Sequence, residues 1–118
     1  MNTPKISVLL SCFNHAHHIK RLIPSILNQT FQDFEFIIIN DGSVDNSPDI
    51  INKFSLQDSR IVPVHQENIG LTKSLNKGIR LARGDYIARI DADDVSYEQR
   101  LEKQYNFLEQ NRNIVLVG

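Results

Sequence analysis

The sequence has a single cysteine, no tryptophan and no long apolar run. One cysteine can form neither an internal disulfide nor a cysteine-rich zinc site, which favours a reducing compartment, so we expect a cytoplasmic protein. The apolar run 6–10 is far shorter than the roughly 20 residues that a membrane-spanning helix needs. We therefore expect no membrane span, and a place at the inner face of the membrane stays open for a longer protein.

The chain also lacks an excess of charge of either sign. Its 118 residues include 13 Lys and Arg against 14 Asp and Glu, for a formal net charge of -1. Proteins that bind nucleic acid by neutralising phosphates have a basic surplus, so we expect no nucleic-acid partner. With 41% hydrophobic and 23% charged residues the composition is that of a globular protein, and the length suits one domain over 1–118.

Short β-rich runs alternate with segments of helical periodicity along the chain. The patterns predict strands at 6–11, 34–39, 61–64, 85–90 and 114–117, and helices at 19–27, around 50–54, at 71–83 and at 97–110. Pro63 predicts that the third strand is irregular or lies at a sheet edge, and Gly84 stands where a glycine cap would end the third helix. The alternation predicts an α/β fold, Rossmann-like, with a mainly parallel sheet and helices on both faces.

The predicted strand at 114–117 is apolar, and no helix follows it to cover it. We therefore interpret the chain as part of a longer domain. An uncovered apolar strand can also pair with another copy, so self-association through the truncated sheet is a second expectation.

Three polar clusters stand at the ends of predicted strands, where parallel sheets bind ligands. They occupy 11–14, 40–43 and 91–94. The cluster at 40–43 could equally be a tight turn that caps the next helix. The acidic cluster holds three carboxylates that repel one another unless a cation lies among them, and such hard oxygen ligands suit Mg²⁺ or Mn²⁺. Its alternative is an exposed turn in which Asp93 or Asp94 caps the following helix.

The glycines exclude two common nucleotide sites, because they form neither a dinucleotide-binding nor a P-loop pattern. A nucleoside diphosphate bound without a glycine-rich loop needs a metal to balance its charge, and the acidic cluster could hold that metal.

The single cysteine and the histidines near it have simpler interpretations than a catalytic or metal site. Cys12 is expected to be a small buried hydrophobe, and zinc or nickel binding by His15, His17 and His18 is disfavoured because no fourth ligand lies nearby.

Taken in order, several segments resemble the N-terminal, nucleotide-binding half of the family 2 inverting glycosyltransferases of GT-A fold. These segments are 6–14, 25–30 with 34–35, 40–45, 68–70, 76–79, 82–87 and 91–94. The resemblance covers nearly the whole chain. It implies binding of a nucleotide-diphosphate sugar, with a UDP-sugar as the commonest case, together with Mn²⁺ or Mg²⁺. It further implies inverting transfer to a hydroxyl of an acceptor glycan or lipid-linked glycan in polysaccharide biosynthesis.

The resemblance also implies roles for individual residues. Ser11, with Phe13 and Asn14 beside it, would hold the nucleoside, and Asp41 would contact the base. Asp91 would approach the ribose or metal-bound water, Ala92 would belong to the nucleotide-sugar-binding residues, and Asp93 together with Asp91 would ligate the metal.

Departures from the family pattern change one of these roles. Leu75 stands where many members carry Arg, so Lys73 is our candidate for a phosphate contact, and Asn40 replaces the first Asp of the family's D-D-G-S. The catalytic base of the family is expected after Gly118, so no base is assigned here.

Two rival functions stay open. A nucleotidyltransferase would carry a basic, glycine-rich loop after the first strand, and the segment 12–15 has neither property. A catalytically inactive nucleotide-binding fragment would share every feature described above and lack only the transfer reaction.

Overall fold

The computed structural model describes residues 3–94 and 96–111, in which four parallel strands alternate with four helices. The elements are β1 (Ile6–Cys12), α1 (Ala16–Leu27), β2 (Phe34–Asp41), α2 (Ser47–Gln57), β3 (Ile61–Gln66), α3 (Leu71–Leu81), β4 (Tyr86–Ile90) and α4 (Arg100–Gln110). The predicted strand at 114–117, with the self-association expected from it, lies outside the described residues.

The sheet has the strand order β3-β2-β1-β4, and every neighbouring pair is parallel. The chain runs from β1 outward to β3 and then returns to β4 on the other side of β1, so the strand order reverses between β1 and β4. Pro63 lies in β3, at an edge of the described sheet, where a missing N–H is tolerated. The prediction of a Rossmann-like parallel α/β fold is confirmed.

Alternate residues of the two central strands pack against helices on opposite faces of the sheet. One face carries Val8, Leu10, Phe36 and Ile38 and packs against α1, α2 and α4 in the larger core. The other face carries Leu9, Ile37 and Ile39 and packs against α3 through Leu75. Both faces are therefore covered by helices, as the pattern predicts.

Helix α3 lies close to the sheet because a glycine faces β1. A Cβ at Gly78 would overlap the side chain of Leu9, so no larger residue fits there without displacing it. The buried residues of α3 are Ser74 and Gly78, while Leu71 and Ile79 are half exposed.

Three local predictions need correction. Strand β2 continues to Asp41 instead of ending at residue 39, and α4 begins at Arg100 instead of residue 97. Because α4 begins there, neither Asp93 nor Asp94 caps it. Helix α3 ends at Leu81, and Gly84 is not its cap: a Cβ at Gly84 would lie 2.6 Å from the backbone nitrogen of Ser7, so this glycine permits close contact with β1.

Across residues 3–94 and 96–111, no helix is both long enough and apolar enough to span a lipid bilayer.

Candidate functional site

The carboxyl ends of β1, β2 and β4 bring the three predicted polar clusters to one edge of the sheet. Leu10 pairs with Ile90, so Ser11 and Asp91 are the next residues on neighbouring strands. Cys12 pairs with Asn40, so Asp41 lies beside the start of the loop that follows β1. This edge includes the reversal in strand order, where open α/β sheets bind ligands.

The loops after β1 and β2 are joined to each other by hydrogen bonds. The backbone N–H of Asn14 donates to Ser43 Oγ at 2.9 Å, and the N–H of Val44 donates to Asn14 Oδ1 at 2.8 Å. Asn14 has a left-handed φ of 56°, a conformation that Asn tolerates better than most residues. The side-chain oxygen of Asn14 therefore supports the neighbouring loop, and its contact with a nucleoside stays a prediction.

Phe13 and Ser11 lie on either side of the buried Cys12 at the end of β1. The Phe13 side chain is 44% exposed, and Ser11 is half-buried. Burial, with further contributions from the Asp45 and Asp41 carboxylates, raises the pKa of the Cys12 thiol to about 12. The thiol is thus protonated at neutral pH and inert, which confirms Cys12 as a buried hydrophobe.

Asp45 is a site residue to which sequence reasoning assigned no role. Its carboxylate accepts hydrogen bonds from the N–H of Ala16 at 3.1 Å and of Ser47 at 2.9 Å, at the first residues of α1 and α2. Burial raises the pKa of Asp45, but the hydrogen bonds from Ser47 and Ala16 lower it below its usual value overall. An Asp just before a Ser-Pro helix start was the available signal.

Asp41 is only 3% exposed, and its carboxylate is held by neutral donors. Oδ1 accepts from the N–H of Ile69 at 2.8 Å and from Gln66 Nε2 at 3.1 Å, and Oδ2 accepts from the N–H of Gly70 at 3.0 Å. Burial raises the pKa of Asp41, but these donors lower it more, so the carboxyl is charged at neutral pH. Asp41 thereby organises the segment 66–70, and its contact with the base stays a prediction.

Two polar side chains to which the sequence analysis gave no role of their own connect the segment 66–70 to its surroundings. Asn68 Nδ2 donates to the carbonyl oxygen of Asp41 at 3.0 Å. Lys77 Nζ donates to Gln66 Oε1 at 3.0 Å, so Lys77 is the lysine of α3 that joins this network. Lys73 is exposed, and its side chain takes part in none of the side-chain hydrogen bonds found among the described residues. Its phosphate contact stays a prediction.

Residues 91–94 form an acidic loop after β4. The N–H of Asp91 donates to Asp94 Oδ2 at 3.1 Å, and the N–H of Asp94 donates back to the carbonyl oxygen of Asp91 at 3.0 Å. The side chain of Asp91 is 60% exposed and pairs with Arg89 at 3.3 Å, and Asp93 is exposed. Ala92 is buried and has no polar side-chain atom, and its contact with the nucleotide-sugar stays a prediction. The loop thus leaves the carboxylates of Asp91 and Asp93 accessible.

The donor chemistry of Asp91 and Asp93 fits a divalent cation that is shared with a ligand. Mg²⁺ and Mn²⁺ are commonly held by one or two carboxylates, with phosphate oxygens and water completing the shell. Among the residues that the structure describes, no group of three or more His, Cys, Asp or Glu side chains could hold a metal by itself. This applies to His15, His17 and His18 too, although neighbouring imidazole centroids lie 5.6 and 5.8 Å apart.

Comparison with known proteins gives one family and several relatives. The sequence model described as "Glycosyl transferase family 2" matches residues 7–118. The uncharacterized glycosyltransferase MJ1057 of Methanocaldococcus jannaschii is 41% identical over 120 residues, which cover 99% of this chain and 41% of that protein. The curated relatives compared are all longer, and the chain spans between 16% and 48% of their lengths.

Solved structures share the fold at low sequence identity. S. aureus TarS 1-349, crystallised in complex with UDP, superimposes with a TM-score of 0.84 at 24% identity, covering 92% of this chain and 33% of that one. The mannosyltransferase PcManGT from Pyrobaculum calidifontis, in complex with GDP-Man and Mn²⁺, gives a TM-score of 0.83 at 21% identity, covering 91% and 33%. The chain therefore shares the fold of its parallel sheet and helices with both of these structures.

Proposed function

Because the chain belongs to glycosyl transferase family 2, we propose that it binds the donor of a sugar transfer, a nucleotide-diphosphate sugar, with Mn²⁺ or Mg²⁺. A UDP-sugar is the proposed donor. The complexes of structurally similar proteins with UDP, with UDP-GlcNAc, and with GDP-Man and Mn²⁺ support this class of ligand.

The observation that carries the proposal is the position of two exposed carboxylates at the reversal in strand order. Asp91 follows β4 directly, next to Ser11 at the end of β1, and Asp93 is exposed in the same loop. A nucleoside diphosphate needs positive charge beside its phosphates, and no glycine-rich loop is present to cradle them. Two accessible carboxylates supply the ligands for a cation that would provide this charge.

The remaining candidates divide between the nucleoside and the phosphates. The residues at the end of β1 that would contact the nucleoside are Ser11, Phe13 and Asn14. Asp41 lies at the end of the neighbouring strand β2 and is hydrogen-bonded to the segment 66–70. Lys73, near the start of α3, would reach a phosphate. When bound, the cation supplies Lewis-acid stabilisation of the departing nucleoside diphosphate.

Sugar transfer needs one group more than this site provides. In inverting transfer, the acceptor hydroxyl attacks the anomeric carbon from the face opposite the leaving diphosphate, and a base takes the hydroxyl proton. We place that base, with the residues that select the glycan or lipid-linked acceptor, after Gly118. The full-length protein is then the transferase, and the 118-residue chain binds the donor without transferring the sugar.

Calorimetric titration of UDP into the purified chain tests the proposal. With Mn²⁺ present we expect binding that EDTA abolishes. Asp93→Ala should weaken it more than about 100-fold, since loss of supporting residues alone weakens metal sites by about 10–100-fold. Asp33→Ala is the matched control, because Asp33 is an exposed aspartate just before β2, at the amino ends of the strands and so at the opposite end of the sheet from the acidic loop.

Absence of UDP binding by the folded chain would refute donor binding. Binding that survives EDTA would refute the metal role, and tighter binding of GDP than of UDP would refute the choice of base. Sugar transfer by the 118-residue chain alone would refute the location of the catalytic base.

A further inference from the structure

The acidic loop is attached to the rest of the protein through two side chains that lie outside it. Gln29 follows the end of α1, and its side chain is fully buried. Arg100 is the first residue of α4 and is half-buried. Neither residue was a candidate on sequence grounds, and neither has a role in donor binding as proposed above.

Gln29 joins α1 to the segment that follows the acidic loop. Its Nε2 donates to the carbonyl oxygen of Tyr97 at 2.6 Å and to that of Ser25 at 3.1 Å. Its Oε1 accepts from the N–H of Leu101 at 3.0 Å. A buried side-chain amide with both ends satisfied fixes the groups that it joins, because breaking either bond leaves a polar atom unpaired away from water.

Two neighbours of Gln29 strengthen the same connection. The N–H of Thr30 donates to the carbonyl oxygen of Glu98 at 2.8 Å, and the N–H of Ser96 donates to Ser25 Oγ at 3.4 Å. The end of α1 and the residues after it are thus bonded to Ser96, Tyr97, Glu98 and Leu101. This holds the chain on the carboxyl-terminal side of the acidic loop.

Arg100 ties together the two ends of the acidic loop. Its Nη2 donates to the carbonyl oxygen of Arg89, within β4, at 3.2 Å, and its Nη1 donates to Ser96 Oγ at 3.1 Å. One planar guanidinium therefore bonds to the strand before the loop and to the segment after it. Because the five N–H groups of a guanidinium are rigidly arranged, both attachments set the separation of the loop ends.

We propose that Gln29 and Arg100 are positioning residues that hold Asp91 and Asp93 in the arrangement that binds the metal and the diphosphate. This inference rests on the proposed function of the loop. Asp91 and Asp93 are themselves exposed, so the backbone that carries them has to be fixed from elsewhere. Groups that orient metal ligands in this way affect metal affinity without touching the ion.

The test compares Gln29→Met and Arg100→Met with the wild-type chain. We expect each variant to weaken the Mn²⁺-dependent binding of UDP, measured by calorimetry, by about tenfold. Arg60→Met is the matched control, since Arg60 also joins separate segments, through Leu27 O at 3.1 Å and Gln32 Oε1 at 2.9 Å, away from the acidic loop. The control should lose stability and keep its affinity for UDP.

A second measurement needs neither metal nor nucleotide. Amide hydrogen exchange at Asp91 and Asp94, whose N–H groups close the acidic loop, should become about tenfold faster in Arg100→Met and stay unchanged in Arg60→Met. Arg100 is only half-buried, so this variant serves even if Gln29→Met fails to fold. A wholly structural role would lower stability and leave the UDP affinity of the folded variants unchanged.

The outcomes separate the two proposals. If wild type and Arg60→Met bind Mn²⁺ and UDP, and both test variants match them in affinity and in exchange, the positioning role is overturned and donor binding stands. If the folded wild-type chain does not bind UDP with Mn²⁺, the proposed function is overturned, and the positioning role for a metal site falls with it.

Discussion

Strand β2 carries a buried carboxylate near each end, and the two carboxylates have different surroundings. Glu35 near its start and Asp41 at its end face the same side of the sheet, with Ile37 and Ile39 between them. Their exposed fractions are 4% and 3%. The two carboxyls are therefore equally buried, belong to the same strand and face the same side of the sheet. They differ in the groups that surround them.

Both carboxylate oxygens of Glu35 accept hydrogen bonds, from Ser7 and Arg83. Its Oε2 accepts from Ser7 Oγ at 2.6 Å and from the N–H of Arg83 at 2.7 Å, and its Oε1 accepts from Arg83 Nε at 3.1 Å. Burial raises the pKa of Glu35, but these hydrogen bonds and the guanidinium charge lower it below its usual value overall. We call Ser7, Glu35, Arg83 and Gly84 the amino-end cluster, and its role is to join β1, β2 and the turn before β4.

Asp41 has a lowered pKa as well, with neutral hydrogen-bond donors from a loop segment at the open edge of the sheet. The exposed carboxylates of the acidic loop lie at that edge, and none lies in the amino-end cluster. Burial and a lowered pKa are common to both carboxyls and therefore do not by themselves distinguish a candidate site residue from a structural one. The position of the carboxylate relative to the strand ends separates the two cases.

The largest expected effect comes from Glu35→Gln. A glutamine amide would face the Arg83 and Ser7 donors and leave buried polar groups mispaired, so we expect a loss of about 3 kcal/mol in the free energy of unfolding. Urea denaturation measures this loss. The affinity of the folded variant for UDP with Mn²⁺ should equal that of the wild type, and a tenfold decrease in affinity would contradict a purely structural role.

The pH dependence of the same variant tests the charge of Glu35. Since folding lowers the pKa of Glu35 from its ordinary value of 4.5, the stabilisation is present above that pH and is lost as the pH falls through the folded pKa. The stability difference between wild type and Glu35→Gln should therefore shrink as the pH falls below 4.5. A difference that grows on acidification would show that Glu35 is protonated in the native state.

Asp41→Asn should lower stability less than Glu35→Gln does, and it should weaken UDP binding more. One or two of the donors around Asp41 would meet an amide group, so we expect a loss of about 2 kcal/mol in the free energy of unfolding. Because the segment 66–70 would then be poorly held, UDP affinity should fall about tenfold. Denaturation and calorimetry on the same sample separate the two effects, and an unchanged affinity would make Asp41 equivalent to Glu35.

A pair of glycines extends the comparison to the backbone. A Cβ at Gly84 would lie 2.6 Å from Ser7 N, and a Cβ at Gly42 would lie 2.6 Å from Asn68 N, at a φ of +76°. We expect Gly84→Ala and Gly42→Ala each to lose about 1.5 kcal/mol of stability. Only Gly42→Ala should weaken UDP binding in calorimetry. Equal binding losses in both variants would contradict the division between the two ends.

The smallest effect is expected from Asn40→Asp, which restores the residue common in the family. Asn40 Nδ2 lies 3.1 Å from His65 Nδ1, and His65 Nε2 lies 2.8 Å from Asn52 Oδ1, so Asn40 fits an imidazole that accepts at Nδ1. An aspartate requires a proton on Nδ1 instead. We expect a stability change below about 1 kcal/mol and a changed ¹⁵N shift of His65 Nδ1, and unchanged ring shifts would refute the pairing.

The fold was predictable because its signals are local. The apolar runs of β1 and β2 and the helical periodicity between them predict parallel strands, and the ends of those strands predict where the three polar clusters meet. The start of α4 was predicted three residues too early, because residues 97–99 include neither a proline nor a glycine that would exclude them from a helix. The first helical residue is Arg100.

The missed residues depend on partners far along the chain. Gln29 is hydrogen-bonded to Tyr97 and Leu101, which follow it by 68 and 72 positions in the sequence. No local sequence pattern indicates these contacts. Gly84 was mistaken for a helix cap because it follows α3, whereas its hydrogen-bond partner Ser7 is 77 positions away. The site was thus predictable in its exposed carboxylates and not in the groups that support them.

The place of β1 in the sheet has a consequence for synthesis of the protein. β1 precedes the other three described strands in the chain, and one of its two edges stays unpaired until β4 has been made. The unpaired backbone N–H and C=O groups along this edge of an apolar strand are open to wrong partners during that interval. Of the two inner strands of the described sheet, the one made first is therefore the last to be paired on both sides, and nascent chains that stop before β4 leave that edge open to aggregation.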